Sequence, residues 1–398
     1  MRKIYLYLFS TVLFLGCVNT AFAVNWIKKN SSFPADLRGG AVSFVIKGKA
    51  YVGTGYIYKN NNNVFFKDFW QYDPATETWT RIADFPGEAR YNAISFSADG
   101  KGYVGLGRNN DSGNLKDFYE YNPDNNTWIK IADFPDARSG AVAFVINDIG
   151  YIGTGYDAGL KSDFYKYQSG RWTAVASLPS DEARDQATAY ALNGKGYIVS
   201  GGLGPVLGGI DSIWEYDPVT NTWQRAGRLS FASNILHSYV SDNTPYVVAF
   251  NDLYKYNAEN NWFYPIASVF SSMDYISNQT FFVIHNVPYM ILGTYGGIFN
   301  PTGNPDLWYD ADAVKSTDIK SLPVETFSVY PNPVNDYFVV SGMSGAQISI
   351  SDLTGRFILK KSNIGDKETI SVFGWQRGVY LLTIKKDENS ITGKLIVQ

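Results

Sequence analysis

Four arginines recur at one fixed distance from a tyrosine, and their spacing is the feature of this chain that most suggests chemistry. Each lies thirteen residues before a tyrosine and two residues after an acidic residue. A guanidinium group can bind a carboxylate through two parallel hydrogen bonds. Four such groups at equivalent positions would suit a ligand with a carboxylate, a sulfate or an acidic side chain. The arginines are Arg38, Arg90, Arg138 and Arg184, and the acids are Asp36, Glu88, Asp136 and Glu182.

The same spacing also allows a purely structural role. Each arginine could pair with the acid two residues earlier, or with an acid of the next repeat, and so only tie two turns together. The equivalent positions later in the chain are Ser233 and Ile276, so the arginine is absent from two copies. The sequence therefore leaves a ligand-binding role and a structural role open.

The elements that position these residues come from an internal repeat. The stretch "DFWQYDPATETWTRIADFP" at 68–86 returns as "DFYEYNPDNNTWIKIADFP" at 117–135. Each copy holds an apolar run, a tyrosine leading into glycine, an aromatic segment and a tryptophan segment. These predict four short strands, which we name a, b, c and d in that order, because each is bounded by Gly, Pro, Asn or Asp. The tryptophans of strand d are Trp26, Trp79, Trp128, Trp172, Trp223 and Trp262.

A period near fifty residues with four strands in each copy resembles the kelch repeat, over roughly residues 25 to 310. The resemblance implies an all-β fold, a six-bladed β-propeller in which each blade is a four-stranded sheet. Trp26 lies in a strand d with no a, b or c before it, and Leu307 and Trp308 lie in a strand c with no d after it. We therefore expect the N-terminal strand to complete the sixth blade and close the ring.

Blade geometry predicts a candidate binding site at one rim of the propeller. Strand a is innermost in such a blade, so the arginines that precede it should lie near the mouth of the central channel. The loops between strands b and c open on the same rim and vary in length, as binding loops on a rigid scaffold often do. The predicted binding residues are Arg38, Arg90, Arg138, Arg184, Tyr56, Arg108, Tyr156 and His237.

The N-terminus predicts a signal peptide over residues 1–23. "MRK" is basic, an apolar run follows, and "AFA" at 21–23 fits a cleavage site after Ala23. An alternative interpretation treats "FLGC" as a lipoprotein signal with a lipid on Cys17. Because Cys17 is the only cysteine, a chain cut after Ala23 has no disulfide and no cysteine that could bind metal.

The C-terminus predicts two further segments, a polar linker at 311–326 and a small Ig-like β-sandwich at 327–398. The motifs "VYPNPV", "ISDLTGR" and "GVYLLTI", with the final "GKLIVQ", resemble the type A C-terminal sorting domain of the type IX secretion system. The resemblance implies a Gram-negative host of the Bacteroidetes type and a partnership with that secretion machinery. It also implies transport to the outer-membrane surface or the medium, with removal of this domain and either release or attachment to lipopolysaccharide.

Composition and motifs exclude several functions. The net charge is −3 with no long basic run, which argues against nucleic-acid binding, and no apolar run after the signal could span a membrane. The two histidines are far apart, and no nucleophile, phosphate-binding or cofactor motif occurs. We predict no catalytic residue, no metal and no cofactor. The chain resembles galactose oxidase in its kelch propeller, but the copper site of that enzyme requires a cysteine crosslinked to a tyrosine. Because a chain cut after Ala23 has no cysteine, we predict that it lacks galactose oxidase activity.

The sequence thus predicts a monomeric, secreted or cell-surface binding module for an extracellular glycan or protein. The chain is also similar to bacterial sialic acid epimerases, six-bladed kelch propellers with an arginine-rich mouth. That similarity implies an alternative function, a mutarotase or epimerase whose arginines hold a carboxylate while Glu88 or Glu182 moves protons. A structural surface protein without a small ligand is the third possibility.

Overall fold

The computed structural model describes most of the chain as two compact units, Met1–Thr317 and Asp318–Gln398. It describes residues 26–310, with gaps at 60–61, 205, 234–235, 250–251, 259–261, 269–275, 278, 292–293, 296–301 and 304–305. It also describes residues 328–397, with gaps at 331–333, 342–343, 353–355 and 387–388. The predicted signal peptide and the predicted linker at 311–326 lie outside the described residues.

The first unit consists of six antiparallel four-stranded blades, each in the order a-b-c-d. Blades 1 to 3 contain Val42–Ile46, Lys49–Gly53, Phe69–Asp73 and Thr78–Arg81; Ile94–Ala98, Lys101–Gly105, Phe118–Asn122 and Thr127–Lys130; and Val142–Ile146, Ile149–Gly153, Phe164–Gln168 and Arg171–Val175. Blades 4 and 5 contain Thr188–Leu192, Lys195–Val199, Ser212–Asp217 and Thr222–Arg228; and Leu236–Ser241, Thr244–Ala249, Asp252–Asn257 and Trp262–Ser268. Blade 6 contains Thr280–Ile284, Val287–Ile291, Leu307–Asp310 and, as its strand d, Trp26–Lys28.

The six blades form a closed ring. Strand a of each blade packs against strand a of the next, and strand a of blade 6 packs against that of blade 1. Strand d of blade 6 comes from the N-terminus, where Trp26 lies opposite Asp310 and Lys28 lies opposite Trp308. The predicted six-bladed fold and its closure by the N-terminal strand are confirmed.

Aromatic packing between neighbouring blades explains the repeat. Trp128 of blade 2 lies 5.0 Å from Phe69 of blade 1, measured between ring centroids. The indole N–H of Trp128 donates to the carbonyl of Ala83, at 2.9 Å. Phe69 is fully buried, and a Cβ on Gly53 would lie 2.3 Å from its ring. The glycine that ends strand b therefore makes room for the aromatic residue that begins strand c.

The turns between strands a and b lie at the opposite end of the blades from the arginines. In each turn both central residues have positive φ, for example Lys47 at 50° and Gly48 at 73°. This is the backbone of a type I′ hairpin, which suits the twist of the strands. One of these turn residues is His285, which is exposed in the a–b turn of blade 6.

The second unit contains two sheets that share one apolar core. One sheet has the order Ser328–Tyr330, Tyr337–Ser341, Lys367–Ser371, and the other has the order Phe357–Lys361, Gln347–Ser351, Gly378–Lys386, Asn389–Val397. Phe338 and Val340 of the first sheet and Ile348 and Leu382 of the second belong to the same buried cluster. Across both units, the described residues contain no helix long and apolar enough to span a bilayer.

Candidate functional site

The four repeated arginines lie inside the propeller. Arg38 is 1% exposed, and Arg90, Arg138 and Arg184 are 0% exposed. The sequence predicted that these groups would lie near the mouth and left open whether they bind a ligand or an acid of the protein. They do lie next to the mouth, but their side chains point into the protein.

In blades 1 to 3 each arginine binds the carboxylate that immediately precedes strand c of its own blade. In blade 2, Nη1 of Arg90 lies 2.7 Å from Oδ1 of Asp117 and Nη2 lies 2.8 Å from Oδ2. Arg138 binds Asp163 in the same bidentate way, at 2.7 and 2.9 Å. The third pair is Arg38 with Asp68. The main partner is thus an acid 25 to 30 residues later, whereas the structural role predicted from sequence named the acid two residues earlier or one of the next repeat. Arg138 also makes the predicted contact with the nearer acid, since its Nη2 lies 3.4 Å from Oδ2 of Asp136.

These carboxylates stay ionised because the arginines bind them. Burial by itself would raise the pKa of Asp117, but the hydrogen bonds and the positive charge of Arg90 outweigh it and leave the pKa below its usual value. The same opposing effects lower the pKa of Asp68 and of Asp163. Each pair is therefore a salt bridge between a buried guanidinium group and a partly buried carboxylate. In blade 3 the Nε of Arg138 has no hydrogen-bond partner among the described residues.

Blade 4 makes the same contact with a different acid. Ser212 occupies the position that holds aspartate in blades 1 to 3. Here Glu182, two residues before Arg184, binds the guanidinium group, and the Ser212 hydroxyl donates to Glu182 Oε2 at 2.7 Å. In this blade the structural pairing predicted from sequence is the one the structure shows.

Each arginine also stabilises a left-handed turn in the loop that follows strand b. Nη1 donates to the carbonyl of the residue sixteen positions later, at 2.9 to 3.3 Å. These four acceptor residues all have φ between 56° and 59°, a conformation that costs energy for residues other than glycine. The acceptors are Thr54, Leu106, Thr154 and Ser200.

The arginine backbone joins consecutive blades. The carbonyl of Arg90 accepts from the N–H of Gly55 in blade 1, at 2.8 Å, and the carbonyl of Arg138 accepts from Gly107 in blade 2, at 2.9 Å. Arg184 makes the same backbone contact with Gly155 of blade 3. We call each of the four buried arginines, together with the acid it binds, an arginine clasp. The clasps support the mouth and offer no guanidinium group to a ligand.

A cavity of about 290 Å³ opens on the channel axis beside the clasps. Its walls are mainly Gly, Ala, Val and Ile from the starts of the a strands. Five polar side chains contribute to the lining: Asn92, Gln186, Thr188, His237 and Gln279. None of the described lining residues is an acid, a lysine or an arginine.

The rim of this cavity is a chain of hydrogen bonds between left-handed residues. Each lies two positions after a clasp arginine: Gly40, Asn92, Gly140 and Gln186, with φ of 62°, 48°, 63° and 48°. The N–H of Asn92 donates to Gly40, that of Gly140 to Asn92, and that of Gln186 to Gly140, at 2.8 to 3.3 Å. Glycine and an amide residue therefore alternate around four blades, and we call this set the amide rim.

His237, one of the predicted binding residues, also lines the cavity. Its ring lies 4.9 Å from that of Phe281, measured between centroids. Burial lowers the pKa of His237 to about 4, because the surroundings disfavour a charged imidazole. At neutral pH the cavity wall therefore carries no ionised side chain among the described residues.

The other three predicted binding residues each begin a b–c loop. Tyr56 pairs with Gly39, Arg108 with Tyr91 and Tyr156 with Ser139 through isolated β-bridges. Arg108 is exposed, while Tyr56 and Tyr156 are half-buried. Each loop is thus attached at its base to the residue after a clasp arginine, and beyond that base the loops differ.

The blade 1 loop is a hairpin that brings aromatic rings to the rim. Its strands are Tyr56–Lys59 and Asn62–Phe65. The Tyr56 and Tyr91 rings lie 4.5 Å apart, and those of Phe65 and Tyr91 lie 5.6 Å apart, measured between centroids. All three are half-buried. We call these three residues the rim aromatics.

Reasoning from sequence missed the clasp aspartates and the amide rim. The aspartates were visible as the recurring first residue of the aromatic motif, but nothing in the spacing showed that they face the arginines. Asn92 and Gln186 carried a signal in principle, because each stands two residues after a repeated arginine. Glycine occupies the same position in blades 1 and 3, which hid that pattern.

No group of three or more potential metal ligands occurs among the described residues. Arg108, the exposed cation among the predicted binding residues, lies outside the cavity lining. The arrangement therefore suits recognition by neutral hydrogen bonds and aromatic contact.

The comparisons with known proteins agree with this architecture. Residues 43–235 match the family described as KLHDC2/KLHL20/DRC7 Kelch-repeats domain, and residues 328–398 match the family described as secretion system C-terminal sorting domain. No curated protein matches the chain significantly. Many solved structures do, among them the one titled "Structure of YjhT", with a TM-score of 0.56 and 17% identity over 70% of this chain and 96% of that one.

At this identity the likeness to a solved structure shows the fold alone. The family matches carry more, because they fall on the repeat that forms the blades and on the C-terminal unit. A sorting domain of this kind indicates export to the cell surface or the medium. The chain is a kelch-repeat β-propeller protein that ends in a C-terminal sorting domain of the type IX secretion system.

Proposed function

We propose that the propeller is a non-enzymatic binding module that recognises an extracellular glycan or protein at the mouth of its central channel. The observation that carries the proposal is the amide rim. Asn92 and Gln186 line the cavity, and within the described part of the chain neither side-chain amide has a hydrogen-bond partner. A rigid wall with free donors and acceptors is what a binding site requires.

The surrounding loops support the same role. They rise from bases fixed by the arginine clasps, and they differ from blade to blade while the sheets do not. The rim aromatics add a large contact area at small entropic cost, since tyrosine has few rotatable bonds. Export to the cell surface would bring this rim into contact with extracellular material.

The alternative enzymatic role finds less support in this geometry. A mutarotase or epimerase for an acidic sugar would need guanidinium groups at the cavity to hold a carboxylate. The four repeated arginines are buried and bound to acids of the protein. After export, we propose that the sorting domain is removed and that the propeller is released or attached to surface lipopolysaccharide.

A glycan array with the full-length protein and two matched variants tests the binding role. Tyr91→Ser removes one rim aromatic and introduces the residue that blade 3 carries at this position, Ser139. Tyr264→Ser removes a partly exposed tyrosine from strand d of blade 5. We expect the array to show bound glycans, and Tyr91→Ser alone to weaken that binding about tenfold or more, since stacking contacts contribute about 1 kcal/mol or more.

Equal loss in both variants would place binding away from the mouth. If no glycan on the array binds, only a protein ligand remains possible. The proposal would then require that a displayed protein binds the propeller and that Tyr91→Ser weakens this binding.

A further inference from the structure

We infer that the mouth selects a neutral sugar residue, at the end or within a glycan chain, and rejects acidic sugars. This inference rests on the proposed binding function and adds the chemical class of its ligand. It differs from the ligand-binding interpretation of the four arginines in the sequence, which would suit an anionic ligand.

The first argument is the charge of the cavity wall. The described lining contains small apolar residues, three amides, a threonine and a histidine that is neutral at neutral pH. Asp185, the residue before Gln186, is 8% exposed and is not part of the cavity lining. Its Oδ1 accepts from the N–H of Gly204 at 3.3 Å. A ligand carboxylate would lose hydration here without gaining a cation, and that loss is costly.

The second argument is the backbone of Gln186. Its φ of 48° is a conformation that glycine adopts without strain and that glutamine rarely adopts. Gly40 and Gly140 occupy the same position in blades 1 and 3. Blades 2 and 4 thus carry an amide where glycine would be less strained. Strain retained next to a cavity is a reason to look for a role in binding.

The third argument is how the amides are held. A Cβ placed on Gly40 would lie 2.7 Å from Oδ1 of Asn92, and one on Gly140 would lie 3.2 Å from Cγ of Gln186. Each amide therefore lies over the glycine of the preceding blade, and the glycine makes that placement possible. Two amides fixed across alternate blades present both donors and acceptors, which is the set that sugar hydroxyls can satisfy.

The size and the surroundings of the cavity further restrict the class of ligand. A volume of about 290 Å³ is at the small end of ligand cavities, so it suits one sugar residue and not a folded partner. Tyr91, one of the rim aromatics, starts next to the lining residue Gly40, since a Cβ on Gly40 would be 3.4 Å from Cβ of Tyr91. A second sugar residue could stack there by its apolar face while the first occupies the cavity.

The test measures binding of defined sugars to the full-length protein by calorimetry. The neutral probes are hexasaccharides of glucose, xylose, mannose and N-acetylglucosamine, and the acidic probes are sialyllactose, oligogalacturonate and a heparin hexasaccharide. We expect at least one neutral probe to bind, with an affinity that does not change as the salt concentration rises, because no charge pair is formed.

Two variants separate the amides from the fold. Asn92→Gly combined with Gln186→Gly removes both amides and relieves the positive-φ strain, so the melting temperature should not fall. Neutral-sugar binding should drop about tenfold or more, given that two hydrogen bonds are lost. The control is Asn193→Gly, an exposed asparagine with φ of 52° in an a–b turn at the opposite rim; it should bind as the parent does.

The outcomes distinguish this inference from the proposed function. Tighter binding of an acidic probe, weakened by salt, would overturn the neutral-sugar inference and leave a binding module in place. If the variant with both glycines still binds neutral sugars as tightly as the parent, the side chains of Asn92 and Gln186 are not part of the binding site, and the inference is wrong. If neither class of sugar binds, the inference fails, and a protein ligand is all that remains of the proposed function.

Discussion

Blades 1 to 4 and blades 5 and 6 form the same four-stranded sheets but organise their rims differently. The first four use a buried arginine that binds an acid and a left-handed carbonyl, and in blades 2 to 4 the arginine carbonyl also accepts from the preceding blade. At the equivalent position blade 5 has Ser233, whose carbonyl accepts from the N–H of Gly201 and from the hydroxyl of Ser200. In blade 6 the position is Ile276, part of a short strand that pairs with Thr294–Tyr295.

Blade 5, which lacks the arginine, has an additional connection to blade 4 at the outside of the ring. Strand d is seven residues long in blades 4 and 5, against four in blades 1 and 2. The two long strands meet at one parallel bridge between Arg228 and Trp262, which joins both blades into a single eight-stranded sheet. The comparison teaches that aromatic packing and strand pairing suffice to build a blade, whereas the arginine sets the shape of the rim.

Breaking one clasp should give the largest effect. Asp117→Ala leaves Arg90, which is 0% exposed, without its carboxylate, and an unpaired buried charge typically costs about 3 kcal/mol or more. We expect the urea midpoint of the propeller, followed by tryptophan fluorescence, to fall accordingly. Arg81→Ala is the control, since the Arg81–Asp84 pair is well exposed and should contribute less than about 1 kcal/mol. Equal effects of the two substitutions would contradict the clasp.

Moving the acid of blade 4 from position 182 to position 212 should preserve its arginine clasp. Glu182→Ala removes the partner of Arg184 and should destabilise the propeller by about 2 kcal/mol. Adding Ser212→Asp supplies an acid where blades 1 to 3 have one, and should restore about 1 kcal/mol or more. The double-mutant cycle, measured by urea unfolding, gives the coupling; purely additive effects would mean that position 212 cannot serve this arginine.

Lowering the pH should reduce the stability of the clasps in blades 1 to 3 and of the surroundings of His237 in blade 5 over different pH ranges. The lowered pKa values of Asp68, Asp117 and Asp163 add stability above the unfolded value of 3.8 that is lost as the pH falls through the folded values. For His237 the folded pKa is about 4 and the unfolded value 6.5. The unfolded chain therefore binds the proton first, and stability falls as the pH drops from 6.5 to 4.

His237→Phe should leave stability at neutral pH nearly unchanged and flatten the loss between these two values. The measurement is the melting temperature as a function of pH. An unchanged slope in the variant would show that the imidazole is not desolvated as the structure places it.

The smallest effect is expected at the outer strand of blade 5. Trp262 is 42% exposed, whereas Trp172 of blade 3 packs on Phe118 at 5.0 Å between centroids and donates to the carbonyl of Ala132. We expect Trp262→Ala to lower the free energy of unfolding by less than about 1 kcal/mol and Trp172→Ala by roughly 3 kcal/mol. A large loss in the first variant would show that the eight-stranded sheet depends on this side chain.

Sequence reasoning reached the fold because each blade repeats the same local pattern. The tryptophan period, the glycine that ends strand b and the unmatched Trp26 strand each have one physical explanation. The direction in which Arg90 points could not be predicted, since it depends on Asp117, 27 residues later, and on the backbone turn at Leu106. The amides at Asn92 and Gln186 escaped notice because their importance comes from a left-handed backbone that the sequence does not display.

The closing strand has a mechanical consequence. Trp26 lies opposite Asp310, so the points at which the chain enters and leaves the propeller are at the same end of one short antiparallel ladder. A pulling force applied between these two points would load its hydrogen bonds one pair at a time, as in opening a zipper, and not all together in shear. With only three residue pairs in the ladder, the ring should open at this seam under a small force, while the covalently continuous seams between the other blades remain intact.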